Sequence, residues 1–240
     1  MVARRPWRRA RRNGGLNIAP RQRPLSRERI LRAALEFVDE HGAAALSMRK
    51  LAATLDVEAM SLYRHVENKD DVLRGVVNLV QGEAEQPPVE HWADAILESA
   101  IRRRDAMLRH REVIPISVSH GMLTEAGMAN IEWQMSVLTQ AGFRGEMVEH
   151  AFHLIGNFET GCILGDYFIG KHGRDIARGF AEMSETEMPV ASEHRQYFRR
   201  VDRDLEFEFG MRVILRGLED YLHGASDPLA AREAGVAAQP

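Results

Sequence analysis

Cysteine is almost missing from this chain: Cys162 is the only one in 240 residues. That excludes an intrachain disulfide framework and fits a reducing compartment. Long hydrophobic runs are missing too, with no apolar stretch of about 18 residues that could cross a bilayer as a helix. The first 25 residues contain no acid, and no apolar segment follows their arginines, so they do not read as a secretory leader. The expected location is the cytoplasm, without a membrane partner. Strict apolar–polar alternation of the strand type is absent, which leaves helical periods as the organising signal.

Signs of catalysis are also scarce. Neither a Gly-rich phosphate loop nor a nucleophile elbow occurs. His150 and His153 share a helical face and Cys162 follows, but no further ligand stands at metal-like spacing. Cys162 sits in the apolar run GCILGDYFIG, the setting of a core thiol rather than a nucleophile. The expectation is no metal, no cofactor and no enzymatic activity.

What the chain does have is charge asymmetry. Residues 1–80 carry 16 Lys+Arg against 9 Asp+Glu, and residues 81–240 carry 16 against 26, so +7 and −10 leave the overall −3. The whole N-terminal excess lies in MVARRPWRRARRNGGLNIAPRQRPL, which holds 8 Arg. Glycine, proline and the absence of an apolar period mark residues 1–25 as a disordered basic arm, suited to a polyanion.

Helical signals begin at Ser26, an N-cap for RERILRAALEFVDEHG, which Gly42 ends. Ser47 caps a short second helix, MRKLAATL, and Leu46 is placed to staple onto Leu51. After Asp56-Val57 comes EAMSLYRHV, and Asn68 with Asp71 caps a fourth helix reaching about Gln81. Gly82 and Pro87-Pro88 mark a boundary, so residues 26–86 form one unit. Helices are then expected near 91–110, 124–141, 145–170, 189–200 and 203–223, making a second domain over 87–224 and a tail over 225–240. The fold class is all-α.

Two short helices joined by a tight turn and braced by a third have the layout of a helix-turn-helix, whose second helix enters the DNA major groove. Leu51, Ala52, Leu55, Val57 and Leu62 supply its small core and leave a polar face. Spacing alone also admits, as the lesser reading, a helical hairpin whose polar face is merely solvated.

The run ILRAALEFVDEHGAAALSMRKLAATLDVEAMSLYRHVENKDDVL resembles the DNA-binding domain of the TetR (tetracycline repressor) family. The shared elements are the A-A-L-E helix with its terminal Gly, the S-x-R-x-L-A helix, L-Y-x-H-V and the following N-K. The remainder is similar to that family's C-terminal type in the Trp92 helix, the MLRHRE run, the QAGF turn and the closing ILRGLEDYL helix. The resemblance implies DNA contacts from Ser47, Arg49, Lys50, Ala59, Met60, Ser61, Tyr63, Arg64, His65 and Lys69. Arg64 suits bidentate pairing with guanine, and Ala59 or Met60 suits a thymine methyl. Tyr63, His65 and Lys69 suit the phosphate backbone. Asp56 departs from the family's usual turn glycine, and Ala59 from the name-giving member's Gln, so the operator is not carried over.

The resemblance also implies a C-terminal domain that dimerises and holds a small molecule. Helix 145–170 is apolar on almost every side and is expected to be central and buried. Gly161 and Gly165 on it, with Met211, Ile214 and Leu218 on the last helix, are the expected dimerisation residues. Polar residues on the buried helix (Asn157, Glu159, Thr160) need partners or a ligand. Arg103 lies on an apolar helical line with Ser99 and His110 nearby. It admits two readings: recognition of a polar or anionic ligand, or pairing with an internal acid such as Glu159. Ser99, Arg103, His110, Asn157, Glu159 and Thr160 are therefore the candidate ligand-binding residues. The residues that hold tetracycline in the name-giving member fall near Ser99, Arg103 and Ser117 here and are not retained, so tetracycline is not the expected effector.

The resulting expectation is a homodimeric repressor that leaves a pseudo-palindromic double-stranded DNA operator when a small-molecule effector binds. The alternatives are a sequence-tolerant architectural DNA binder working through its Arg arm, and a small-molecule enzyme or carrier with a degenerate helix-turn-helix.

Overall fold

The computed structural model describes residues 24–120, 124–182, 184–198 and 202–224. Most of the basic arm and all of the tail lie outside the described residues. Among those described there are only helices, as the periodicity predicts: α1 (Arg27–His41), α2 (Met48–Thr54), α3 (Ala59–Leu62), α4 (Lys69–Gly82), α5 (Trp92–Arg109), α6 (Ile114–His120), α7 (Glu125–Ala141), α8 (Glu146–Ala181), α9 (Pro189–Phe198) and α10 (Arg203–Leu222). Short 3₁₀ turns at Ala43–Ala45 and Arg111–Val113 link α1 to α2 and α5 to α6.

The caps read from sequence form as expected. Ser26 accepts from the Arg29 amide, Ser47 from Lys50 and Asn68 from Asp71, each satisfying a donor that the first helical turn leaves unpaired. Gly42 ends α1 at φ 78°, where a side chain would be strained.

Three differences have local causes. The third helix is a single turn, Ala59–Leu62, and Tyr63 is its C-cap. Helix α6 is not anticipated by a reading that takes Pro115 as a break. Proline at the second helical position instead loses no hydrogen bond, because that N–H has no partner within the helix. Helix α8 runs for 36 residues, through Gly165, Gly170 and Gly173 and well past the expected end at 170. Isolated glycines cost about 1 kcal/mol each in a helix, and packing of α8 against α5, α7 and α10 offsets this over its earlier turns.

Two apolar cores organise the chain. The first joins Ile30, Ala34 and Val38 of α1, Leu51 and Leu62 of the helix-turn-helix, and Val72, Val76, Val77 and Val80 of α4. It continues into Met107, Val113, Ile114 and Ile163, so the N-terminal unit shares its core with the rest of the molecule. The second core packs Ile96 and Ala100 of α5, Leu138 and Phe143 of the α7 end, Ile155 of α8 and Phe207, Met211, Leu215 and Leu218 of α10.

The expectation that α8 is buried nearly all round is corrected here. Only Ala151, Ile155, Glu159, Ile163 and Asp166 are buried, a single line with i, i+4 spacing. Leu154 and Phe168 on its other side are 48% and 54% exposed. Apolar content marks a helix that needs cover, and within one protomer that cover reaches one side only.

Close approach of α1 and α4 depends on Gly75. A Cβ there would lie 2.5 and 2.8 Å from the Leu31 methyls, whereas nothing stands within 4 Å of one at Gly82. Gly75→Ala is expected to lose about 1 kcal/mol, because overpacking of about 1–3 kcal/mol exceeds the helix-propensity gain. Gly82→Ala should raise stability slightly; denaturant melts of both variants check the contrast.

Candidate DNA-binding and effector sites

Helices α2 and α3 are joined by a turn in which Asp56 adopts φ 54°, the one non-glycine residue with positive φ among those described. Aspartate tolerates this left-handed conformation better than most residues, which explains how the turn forms without the family's glycine. Leu51, Leu55 and Leu62 are buried beneath it. Met60 is 72% and Tyr63 46% exposed, and Arg49 and Arg64 face solvent beside them. Ala59, Ser61, His65 and Lys69 are half-buried along the same edge.

Not every expected contact residue is disengaged. Ser47 serves as the cap of α2, and Lys50 Nζ donates to the Ala45 carbonyl at 3.0 Å and lies over the Phe37 ring. Their side chains hold the element in shape.

The end of the recognition segment is pinned by a pair that sequence reasoning missed. Arg27 of α1 donates to both Asp71 carboxylate oxygens at 2.8 and 2.6 Å, and to the His65 carbonyl at 3.2 Å. Asp71 also accepts from the Glu67 amide at 2.9 Å. The Arg27 hydrogen bonds hold the Asp71 carboxyl down at about 2. Asp71 was legible only as a helix-capping residue. Its partner is 44 positions away, beyond any local pattern.

The second constellation lies where α5, α7 and α8 meet the segment that follows α4. Arg103 holds Glu159 by a two-pronged ion pair, Nε to Oε1 at 2.9 Å and Nη2 to Oε2. Its Nη1 donates to Ser99 Oγ at 2.6 Å and to Asn130 Oδ1 at 2.8 Å. Ser99 in turn donates to Gln86 Oε1 at 2.7 Å, and Gln86 Nε2 donates to Asn130 Oδ1 at 3.0 Å. Ser99 and Glu159 are buried, and the Arg103 side chain is 12% exposed. Of the two readings open to Arg103, pairing with Glu159 is the one realised. One turn beyond Asn130 on α7, Gln134 is 1% exposed and its Nε2 has no hydrogen-bond partner. A buried donor left unpaired costs about 1–3 kcal/mol.

The other ligand candidates lie elsewhere. Asn157 and Thr160 are exposed, because they sit two residues and one residue from Glu159 and helical geometry turns them away from it. His110 lies between Asp39 and Glu83, at the surface where α1 and α4 meet the rest of the chain. Gln86, Asn130 and Gln134 were missed: polar residues in a linker and on a mixed helix carry no signal until neighbours bring them together.

The expected dimerisation residues divide as well. Met211 and Leu218 are buried in the protomer's own second core, and Ile214 packs against it. They do not face outward as a partner surface would require. Gly161 is exposed, and a Cβ at Gly161 or Gly165 would meet nothing within 4 Å. The exposed line of α10 is Leu205, Phe209 and Val213, at 65%, 68% and 56%.

A buried charge not anticipated from sequence is Arg104. It is 3% exposed and bonds Asp166 of α8 at 2.8 and 3.0 Å and Asp204 of α10 at 2.7 Å. Cys162 is half-buried, and burial pushes its thiol up, away from the reactive thiolate. No described helix is long and apolar enough to cross a membrane.

Arg103→Met should destabilise the protein by about 3–5 kcal/mol by leaving Glu159 buried without its partner, whereas Arg103→Met with Glu159→Met should be close to neutral. Denaturant melts of the single and double variants measure the difference.

Comparison with known proteins agrees with this architecture. Residues 30–76 match the family model described as bacterial regulatory proteins, tetR family, and residues 85–222 match the tetracyclin repressor-like C-terminal domain. An HTH-type transcriptional regulator of Saccharopolyspora erythraea is 34% identical over 142 residues, which span 58% of this chain and 60% of that relative. The class D tetracycline repressor protein of Escherichia coli is 28% identical over 199 residues, 81% of this chain and 89% of the relative. The Streptomyces coelicolor TetR family protein ActR, solved in complex with actinorhodin, superposes with a TM-score of 0.72 at 29% identity, covering 85% of this chain and 99% of ActR. With both domains matched in order along one chain, this protein belongs to the TetR family of DNA-binding transcriptional regulators.

Proposed function

We propose that the protein is a homodimeric repressor, released from a pseudo-palindromic operator when a small molecule binds among α5, α7 and α8. The observation that carries the effector part is the buried polar network around Arg103. It is costly to bury, it adjoins an unpaired amide donor on Gln134, and it reaches Gln86, four residues beyond the end of α4. A ligand that enters this network rearranges bonds held by the segment leading directly to the DNA-binding unit. ActR, solved with actinorhodin, supplies the family precedent for a bound small molecule.

On the DNA side, Arg49, Ala59, Met60, Ser61, Tyr63, Arg64 and His65 face one major groove, with Lys69 at the phosphates. Two such surfaces related by a dyad read half-sites about 34–36 Å apart. The basic arm follows the neighbouring backbone or minor groove. For the effector to act, it must bind the DNA-incompetent spacing more tightly; a coupling of about 1–3 kcal/mol corresponds to a 5–150-fold change in affinity. Tetracycline is not the proposed effector, because the residues that hold it in the name-giving member fall near Ser99, Arg103 and Ser117 here and are not retained.

The dimer forms through the outward faces of α8 and α10. Leu154, Phe168, Leu205, Phe209 and Val213 are apolar and exposed, and Gly161 lets a neighbouring helix approach. Gly161 and Gly165 keep their proposed place there, while Phe209 and Val213 replace the inward-facing Met211 and Leu218.

Arg64→Ala is expected to weaken operator binding by about 1–3 kcal/mol and to relax specificity at one base position. Binding to a set of single-base operator variants measures this, and an equal loss on every sequence would refute base reading by Arg64. Phe209→Asp should leave the fold intact, since the side chain is already exposed. It should weaken self-association on the order of tenfold or more by burying a charge in the interface. Sedimentation across a concentration series reads the change.

A further inference from the structure

Two histidines outside the Arg103 network join the DNA-binding unit to the rest of the chain, and one of them, His110, lies between acceptors alone. His110, just past α5, places Nδ1 2.7 Å from Asp39 Oδ2 of α1 and Nε2 3.1 Å from Glu83 Oε1 at the end of α4. His120, closing α6, places Nδ1 2.9 Å from the Ile116 carbonyl and Nε2 2.9 Å from Asp70 Oδ1 of α4. Carbonyl and ionised carboxylate oxygens only accept hydrogen bonds. A neutral imidazole has one N–H and one lone pair, so it can satisfy one of the two contacts and must point its lone pair at the other. At His110 only the imidazolium donates to both, and both contacts cross to the DNA-binding unit; at His120 a neutral ring keeps Nε2–H on Asp70 and accepts at Nδ1 from the Ser119 hydroxyl 2.8 Å away.

We propose that His110 forms a proton-dependent clamp that fastens α1 and the end of α4 to the rest of the chain when its ring is protonated and slackens as it loses that proton, while His120 ties α6 to α4 in either state. Loss of the ring proton as pH rises removes one of the two bonds at His110. The sign follows from the cation being the bonded form: fastening is complete on the acid side and lost on the alkaline side.

The surroundings favour that sign. At His110 the facing charges are Asp39 and Glu83, with Glu40 and His41 next along α1. Arg109 is occupied by the other Glu83 oxygen at 2.7 Å, Arg111 bonds the Asp166 carbonyl of α8, and Glu112 is held by Lys171 of α8. At His120 the facing groups are Asp70, shared with Arg74, and the Ser119 hydroxyl on its own helix. Asp71 beside them is engaged by Arg27. The hydrogen bond from His120 also holds the Asp70 carboxyl below its ordinary value. The His110 ring is largely shielded, at 18% side-chain exposure, so water replaces the lost bond poorly.

The clamp regulates DNA binding only through the function proposed above, but its existence is tested without DNA. Amide hydrogen exchange of the full-length protein, corrected for the intrinsic pH dependence of exchange, is measured at pH 6 and pH 8. Comparison is with the His110→Gln variant. In the wild type, protection along residues 72–80 of α4 should fall on the order of tenfold from pH 6 to pH 8, the loss of one charge-assisted bond. The variant should show the same low protection at both values. If the variant does not fold, Asp39→Asn, which alters a single surface carboxylate, should flatten the same dependence. Equal pH dependence in wild type and variant overturns the clamp. A flattened dependence in a protein that reads no operator leaves the clamp standing and removes the functional reading alone.

Discussion

The structure depends most on how α4 is packed. Val72, Val76, Val77 and Val80 are buried in one core with α1 and the helix-turn-helix, and that core runs on into Met107, Val113 and Ile114. Close packing leaves no slack between these groups, so α4 cannot move independently of both sides. Polar contacts repeat the constraint: Gln81 accepts from Thr124, Asn78 from the Ala126 amide, and Glu83 from Arg109. On the proposed function, a change in the body would reach the DNA-binding unit through this packed helix, whose Gly75 lets α1 stay in contact.

Buried charge sits on the other side of that helix. Arg103–Glu159 and Arg104–Asp166 are parallel links from α5 to α8, their acids about two turns apart on the same inner face of α8. Such pairs contribute little net stability, since desolvation consumes much of the attraction, but breaking one partner is expensive. They fix the register of α5 on α8 while leaving a polar site that a ligand of matching hydrogen-bonding character could reorganise. The Arg103 end touches Gln86 and the Arg104 end touches Asp204 of α10. One inner face thus connects the DNA-binding unit with the helices whose outer faces are proposed to meet a partner.

Much of this was legible in local sequence. Caps at Ser26, Ser47 and Asn68 and the apolar periods placed the helices, because those signals act within a few residues. The helix-turn-helix was legible because its spacing is tight and its residues specific. What could not be read was pairing at long range: Arg27 with Asp71, Arg104 with Asp166, and Gln86 with Ser99 and Asn130. Glu159 was legible as an acid needing a partner because it interrupts an apolar helix. Its neighbours Asn157 and Thr160 were grouped with it by sequence proximity and separated by the helical turn. Met211 and Leu218 failed as an outward surface for a related reason. Periodicity identifies an apolar face, but an amphipathic helix between two partners has two such faces, and the one inside the protomer took the larger side chains.

A selection from random-sequence duplex DNA with the purified full-length protein, at about 0.15 M salt where non-specific binding is weakened, tests the central claim most directly. The account predicts enrichment of a two-fold symmetric site whose half-sites are centred one helical turn, or a whole number of turns, apart. Enrichment of a single unsymmetrical site would contradict the dimeric reading head. Binding without enrichment of any sequence would contradict base reading itself and leave an architectural binder in its place.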